Sequence, residues 1–463
     1  MDTLVALLLV PVAVLVSLIV PRWMMLAGIG YVGILFSRLA VLGIPAFSAL
    51  GGAVALLRMK RPAVRLRGLV AFSAVLVVGG MLAIIAGLWS PAPSDALETG
   101  MRWLSLVPLT VVTINMIMIE GLRPLGKLLA ALSPLVLAQV ITTVLFFANP
   151  TLEARYYASG FGRLFLGDAG QALTTELGRN NVLELDRAGG FLFVSVNRAA
   201  LVMGIAMLVY GAYGLLGRKR WTRWIVLALG VGILATGSKT GLVLMVVVPA
   251  FAWLMSRVAD SRNPASRIGM ILVAITGVAA GAQIFLSTAD EFVGASQATL
   301  APRLVLWGEA TRAIAENPIL GLGFGGWVER WEGGLVAAAF TFRPAHNWFL
   351  QAWMDGGVLF AAVNIVFIVV LVVLLARAVQ LPGTRTERFA FALSGSTFMW
   401  SIIHGLGDNS GILGNTQNHL FLALAGAILL AAPTLVKNEV EPGNGGQRSS
   451  VAPRSILDRP SGG

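Results

Sequence analysis

His346 is one of only three histidines in 463 residues, and its neighbours give it a chemical setting. It follows Pro344, and proline is favoured as the first residue of a helix, where its missing N–H would be unpaired anyway. On that reading His346 lies in the first helical turn, beside free backbone N–H groups and the positive end of the helix dipole, which disfavours an imidazolium. A neutral imidazole can take a proton from a substrate hydroxyl. A hydrogen-bonded histidine at a water boundary, with no catalytic part, fits the same residues equally well.

Cations are the second kind of chemistry on offer. Arg303 and Trp307 are one helical turn apart and can share a face. A guanidinium beside apolar surface can grip a diphosphate through paired hydrogen bonds; it can also simply snorkel to an interface. Lys239 sits in the stretch Gly237-Ser238-Lys239-Thr240, between two short apolar runs. An ammonium is costly in lipid, so it must face water, protein or a ligand. Arg198, in Ser195-Val196-Asn197-Arg198, reads as lying roughly two turns inside an apolar run, and an ionisable group at such a depth is a functional candidate. Both cations can add positive charge to a phosphate site; snorkelling is the competing reading for Arg198.

His404, Asp408, Asn409 and His419 cluster near the C-terminus, so all three histidines fall at or near one end of the apolar runs. No H-E-x-x-H spacing supports a zinc site, and there is no D-x-D pair of the kind that chelates a metal in nucleotide-sugar transferases. Gly321, Gly323 and Gly326 spell G-x-G-x-x-G. A dinucleotide fingerprint requires a preceding strand and a βαβ unit, so tight turns and close packing are the better account of these glycines.

The elements that must position these residues follow from composition. The chain is 57% hydrophobic and 12% charged, against roughly 25% charged in soluble domains. Lipid must solvate that much apolar surface, which implies an all-α, multi-pass membrane protein. The formal charge of +12 invites a nucleic-acid partner, but the basic residues sit in short clusters between apolar runs, as cytoplasmic loops do. We expect contact with membrane lipids and no nucleic acid. Without cysteine there is no disulfide framework or thiolate metal site.

A spanning helix needs about 20 mostly apolar residues. Runs at 3–20, 68–90, 103–119, 128–147, 191–215, 268–286, 357–376, 389–405 and 418–436 meet or approach that length. Residues 24–57 exceed one span, and 224–255 read as two spans meeting at a turn around 237–240. The expectation is about 12 spans, forming one membrane domain over 1–436, with a disordered cytoplasmic tail at 437–463. Basic clusters around Arg58–Arg67, Arg123/Lys127, Arg218–Arg223, Arg257–Arg267 and Arg377–Arg388 share one side if the spans alternate, which makes that side cytoplasmic. The long loops 148–190 and 287–346 carry four basic residues each and are expected to face the periplasm or cell exterior, with a loop lobe preceding the histidine-bearing helix.

Taken together, Arg303-x-x-x-Trp307, Pro318-x-x-Gly321-x-Gly323 and His346-Asn347-x-x-Leu350 leading to Gly357 resemble the shared region of O-antigen ligases and Wzy-type polysaccharide polymerases. Thr236-Gly-Ser238-Lys239-Thr240 resembles that family's Ser-Arg motif between two spans. The close likeness covers about 130 residues. It implies a bacterial inner-membrane glycosyltransferase that takes a glycan from an undecaprenyl diphosphate carrier at the periplasmic face. Ligases pass the glycan to lipid A–core, and polymerases pass it to another carrier-linked glycan. The resemblance implies no cofactor, metal or ATP. By analogy His346 is the general base, Arg303 and Lys239 hold the diphosphate with help from Arg198, and Asn347, Trp307 and Asp408 support the site. Ligases usually carry arginine where this chain has Lys239, so the planar fork is lost there while the charge is kept.

A lipid-glycan flippase or transporter is the rival from another class. Such proteins tend to place ionisable groups near mid-membrane, whereas the histidines here fall at the ends of spans. A non-catalytic assembly partner is a further alternative, against which His346 and Arg303 argue.

Overall fold

In this computed structural model, residues 19–35, 67–167, 186–260, 290–332, 345–408 and 410–440 are described. Among them the chain is helical, and its nearest approach to a strand is a single bridge between Gly411 and Gly414. Seven helices among the described residues are long and apolar enough to cross a membrane: Gly68–Ala86, Pro93–Glu120, Arg123–Ala148, Val196–Leu216, Lys239–Ala259, Trp348–Val379 and Thr416–Val436. Two shorter apolar helices, Arg22–Leu35 and Trp221–Ala235, accompany them. By length and composition these are the spans of a multi-pass membrane protein. Of the expected spans, 3–20 lies almost wholly, and 268–286 and the second half of 24–57 entirely, outside the described residues, as do the loop stretch 168–185 and the tail beyond 440.

We label the helices that matter below in chain order: α1 (Arg22–Leu35), α2 (Arg67–Ala86), α3 (Pro93–Glu120), α4 (Arg123–Ala148), α5 (Pro150–Ala158), α6 (Gly160–Leu166), α7 (Val196–Leu216), α8 (Trp221–Ala235), α9 (Lys239–Asp260), α10 (Asp290–Glu316), α11 (Gly326–Glu332), α12 (Trp348–Val379), α13 (Arg385–Gly405) and α14 (His419–Val440). Their starts follow ordinary rules. Prolines occupy the first position of α3 and α5 and the second of α4. Asn149 and Ser195 cap α5 and α7 with their side-chain oxygens, and Thr384 with Glu387 forms a capping box at α13. The run at 389–405 is indeed a helix, but a more polar one, lined with buried Ser394, Ser396, Thr397 and Ser401.

α13 packs between α7, α9, α12 and α14, while α3 packs against α2 and α14. The close approaches use small residues, as membrane helices do: Gly204 of α7 lies against the Trp400 indole, and Gly79 of α2 against Trp103. Outward faces carry Val77, Val78, Met81 and Ile85 on α2, Trp224, Leu227, Val231 and Leu234 on α8, and Val366, Val369, Val372 and Val373 on α12. Such continuous apolar surface is what lipid covers.

Connectivity sorts the helix ends. α3, α7, α9, α12 and α14 begin at the same end of the bundle at which α2, α4, α8 and α13 finish. The clusters Arg123/Lys127, Arg218–Arg223, Arg257 and Arg377–Arg388 lie at the opposite end.

Two expectations need correction. The helix carrying Arg198 starts at Val196, because residues 191–195 are not helical, so Arg198 lies in the first turn rather than two turns deep. His346 is not in a helical turn: Asn347 is the N-cap, its Oδ1 accepting from the Phe349 and Leu350 N–H groups at 3.0 and 3.3 Å. An asparagine oxygen satisfies those donors better than a helix started from a proline does. His346 therefore precedes the cap, with a left-handed backbone at φ 50°.

Candidate functional site

The residues singled out in the sequence collect at the end of the bundle opposite the basic clusters. His346 is held from both sides. Upstream, the Trp307 indole N–H donates to the Ala345 carbonyl at 2.9 Å; downstream, the Trp348 indole N–H donates to the Ile402 carbonyl at 2.9 Å. Arg303 and Trp307 share α10 as expected, so one helix both clamps the histidine segment and carries a guanidinium toward it.

Asp408 is the hub. Its Oδ1 stands 4.0 Å from His346 Nδ1 and its Oδ2 stands 3.8 Å from His404 Nδ1. These separations exceed a hydrogen bond but lie within ion-pair range. Arg303 interacts electrostatically with the same carboxylate: burial pulls its guanidinium below its ordinary value, and Asp408 works in the opposite direction. Its Nη1 lies 3.7 Å from where a side chain on Gly407 would begin. Arg198 is within electrostatic reach of both Asp408 and Arg102. A half-buried imidazole, an almost buried carboxylate and several guanidinium groups thus meet across α3, α7, α10, α12 and the loop after α13.

Lys239 sits beside this group rather than in its middle. Gly237, at φ 60°, makes the turn between α8 and α9 and would collide with the Asp186 carbonyl if it carried a side chain. Ser238 Oγ donates to Asn197 Oδ1 at 2.8 Å, tying the Lys239 turn to the residue before Arg198. Arg187 and Asp186 are among the charged neighbours of Lys239.

The glycine motif is structural. Gly321 and Gly323 adopt positive φ, and the segment 318–324 docks on two partners. Leu322 N–H donates to the Met354 carbonyl at 2.6 Å, and Val358 N–H reaches the Pro318 and Ile319 carbonyls at 3.2 Å. Phe324 N–H donates to Ser90 Oγ at 2.7 Å, and Ala92 N–H donates to the Phe324 carbonyl at 2.9 Å. It therefore fastens the kink in α12 at Gly357, φ 69°, to the turn before α3.

The loop leading into α7 is pinned as firmly. Glu153 accepts from Gly189 N–H at 2.9 Å and from Tyr157 Oη at 2.7 Å, while Gln139 donates to the Gly189 carbonyl and accepts from Leu192 N–H. Burial raises the Glu153 carboxyl above its ordinary value, and these hydrogen bonds lower it again only in part.

Sequence reasoning missed Arg102, which falls just before the apolar run 103–119 and lies inside the helix Pro93–Glu120. It gave His404 no role beyond its cluster with Asp408. The signal for both is a fold in which α3 and α13 adjoin the histidine segment. Among the described residues no three His, Asp or Glu side chains converge closely enough to hold a metal ion. What the group can do is hold an anion among guanidinium groups next to an imidazole.

Two comparisons with known proteins bear on this geometry. Residues 224–365 match the family model described as O-Antigen ligase, a range that takes in Lys239, Arg303, Trp307, His346 and Asn347 but leaves out Arg198, His404 and Asp408. The exopolysaccharide production protein ExoQ of Rhizobium meliloti (strain 1021) is 26% identical over 297 residues, which is 60% of this chain and 60% of that protein. The motifs, the helical membrane fold and the family match agree: over residues 224–365 the chain is similar to the O-antigen ligase family, and more widely to ExoQ.

Proposed function

We propose that this chain is a glycosyltransferase of the inner membrane that moves a glycan from an undecaprenyl diphosphate carrier to an acceptor hydroxyl at the periplasmic face. The observation that carries the reading is the convergence of His346, Asp408, Arg303 and Arg198 at the end of the bundle opposite the basic loops. Basic loops face the cytoplasm, so that end faces outward.

In the proposed reaction the acceptor oxygen attacks C1 of the carrier-linked sugar. The new C1–O bond forms as the bond from C1 to the phosphate oxygen breaks, and undecaprenyl diphosphate leaves with that electron pair. His346 accepts the acceptor's proton. Its Nδ1 faces Asp408, which favours the tautomer protonated there and leaves Nε2 as the base. Negative charge grows on the departing diphosphate, and fixed guanidinium groups of Arg303 and Arg198, with the ammonium of Lys239, stabilise it as it grows. Asn347 fixes the chain after the base, and Trp307 the chain before it.

Two acceptors are compatible with this chemistry: lipid A–core, as in ligation, or another carrier-linked glycan, as in polymerisation. The relative's name, which specifies exopolysaccharide, favours the polymerase. The deciding experiment uses the full chain in lipid nanodiscs with a defined carrier-linked glycan, with and without a lipid A–core acceptor, and an EDTA arm. His346→Ala should lower transfer by about 10²- to 10⁴-fold with normal expression, and EDTA should leave transfer unchanged. Full activity in purified His346→Ala protein overturns the base assignment.

A further inference from the structure

Beside the histidine segment lies a cleft that shares Asn347 and Asp408 with the site and is otherwise lined by residues given no role so far. Its cavity volume is about 160 Å³, which is small for a ligand pocket and limits the occupant to something the size of one ring. One wall is a stripe of α12, where Asn347, Gln351 and Asp355 follow at four-residue spacing on one face. Arg102 and Trp103 of α3 line the facing wall, and Asp408 with residues 410–414 closes a third side.

The polar atoms of this stripe are partly committed, and the commitments fix what remains. Asn347 spends its Oδ1 on the helix cap, which leaves its amide N–H groups as donors. Gln351 donates from Nε2 to Asp355 Oδ1 at 2.8 Å, which leaves Gln351 Oε1 and the other carboxylate oxygen as acceptors. On the loop side, Ser410 is 2% exposed, and its Oγ has no hydrogen-bond partner among the described residues. The apolar floor is aromatic: the Trp103 and Phe360 rings pack with centroids 5.9 Å apart.

This cleft is a poor match for a diphosphate. Its walls include two acidic side chains, Asp355 and Asp408, and one guanidinium, Arg102, which is already paired with Glu98. Arg303, Arg198 and Lys239 are not among its lining residues. Alternating amide and carboxylate groups over an aromatic floor suit a ligand with many hydroxyls and one apolar face, which is a pyranose ring.

We propose that this cleft is the acceptor-sugar subsite, with Gln351 and Asp355 determining which sugar is accepted. The assignment of the ligand as acceptor rests on the glycosyltransferase reading, whereas sugar binding in the cleft does not. Asp408 and Asn347, shared by this cleft and the histidine segment, place the bound sugar's hydroxyl beside His346.

The test separates binding from transfer. The full chain in nanodiscs is mixed, without donor, with oligosaccharides cut from the surface polysaccharide of the cell that makes it, and binding is followed by saturation-transfer NMR. Wild type and His346→Ala should both bind. Gln351→Ala and Asp355→Asn should bind about tenfold more weakly, and in the transfer assay should raise KM for the acceptor about tenfold with KM for the donor unchanged. If Asp355→Asn fails to fold, Gln351→Ala decides alone. Absence of sugar binding by wild type, wild-type binding by the variants, or a loss confined to donor KM overturns the subsite. Should His346→Ala retain transfer while sugar binding behaves as described, the catalytic reading fails and the sugar subsite stands.

Discussion

The Trp307 indole N–H donates to the Ala345 carbonyl at 2.9 Å, so the helix that carries Arg303 also sets the backbone from which His346 projects. Trp307→Phe keeps the ring and removes that one bond. A lost hydrogen bond of this kind costs about 1 kcal/mol, too little to unfold the chain, yet it frees the histidine segment. We expect kcat to fall about tenfold with KM for the donor unchanged, measured by steady-state transfer. A pure change in thermal stability with intact kcat would remove Trp307 from the site.

Asp408 faces two imidazoles and attracts Arg303. Asp408→Asn preserves shape and removes the charge. Loss of the orienting carboxylate should lower kcat by at least about 10²-fold, while carrier diphosphate, now facing less negative charge, should bind no more weakly. Weaker inhibition by free undecaprenyl diphosphate in the variant would show that Asp408 serves binding rather than the base.

Lys239 lies in a turn tied to Asn197 through Ser238. If its charge acts on the diphosphate, Lys239→Arg should retain substantial transfer and Lys239→Ala should lose about 10- to 10²-fold. Equal behaviour of the two variants in the same assay would assign Lys239 to the Asp186–Arg187 pair alone.

Gly357 has φ 69°, and a side chain there would strike the Ile319 carbonyl. Gly357→Ala should therefore destabilise by more than about 1 kcal/mol and release the 318–324 segment, seen as faster proteolysis and a lower Tm. Gly308, in helix α10 with open space around it, is the matched control. Gly308→Ala should be neutral or stabilising by about 0.5–1 kcal/mol.

Glu153 supplies a pH signature. Its carboxyl is held above the ordinary 4.5 chiefly by burial, so the folded state favours the protonated form. The associated stability is fully present below the ordinary value and is lost as pH rises through the raised one. Melting the purified chain from pH ~4 to ~8 should show that decline in wild type, and Glu153→Gln, which cannot ionise, should flatten it. An unchanged slope in the variant would place the titrating group elsewhere.

The sequence by itself determined the helical membrane class, the tight turn at 237–240, the shared face of Arg303 and Trp307, and the structural rather than nucleotide-binding nature of Gly321 and Gly323. These are local or one-dimensional properties: apolar length, turn chemistry and four-residue spacing are written along the chain. Only the tertiary structure decided that Asp408 lies between His346 and His404, that Arg102 faces the Asn347–Gln351–Asp355 stripe, and that Asn347, not Pro344, sets the start of α12. In a soluble protein the polar face of each helix announces which side is buried. In this bundle lipid and protein interior are both apolar, so α3, α7, α12 and α13 carry little pattern to say which faces meet. Their neighbours are chosen by the fit of small residues such as Gly204 against Trp400, a property of pairs of helices that no single stretch of sequence displays.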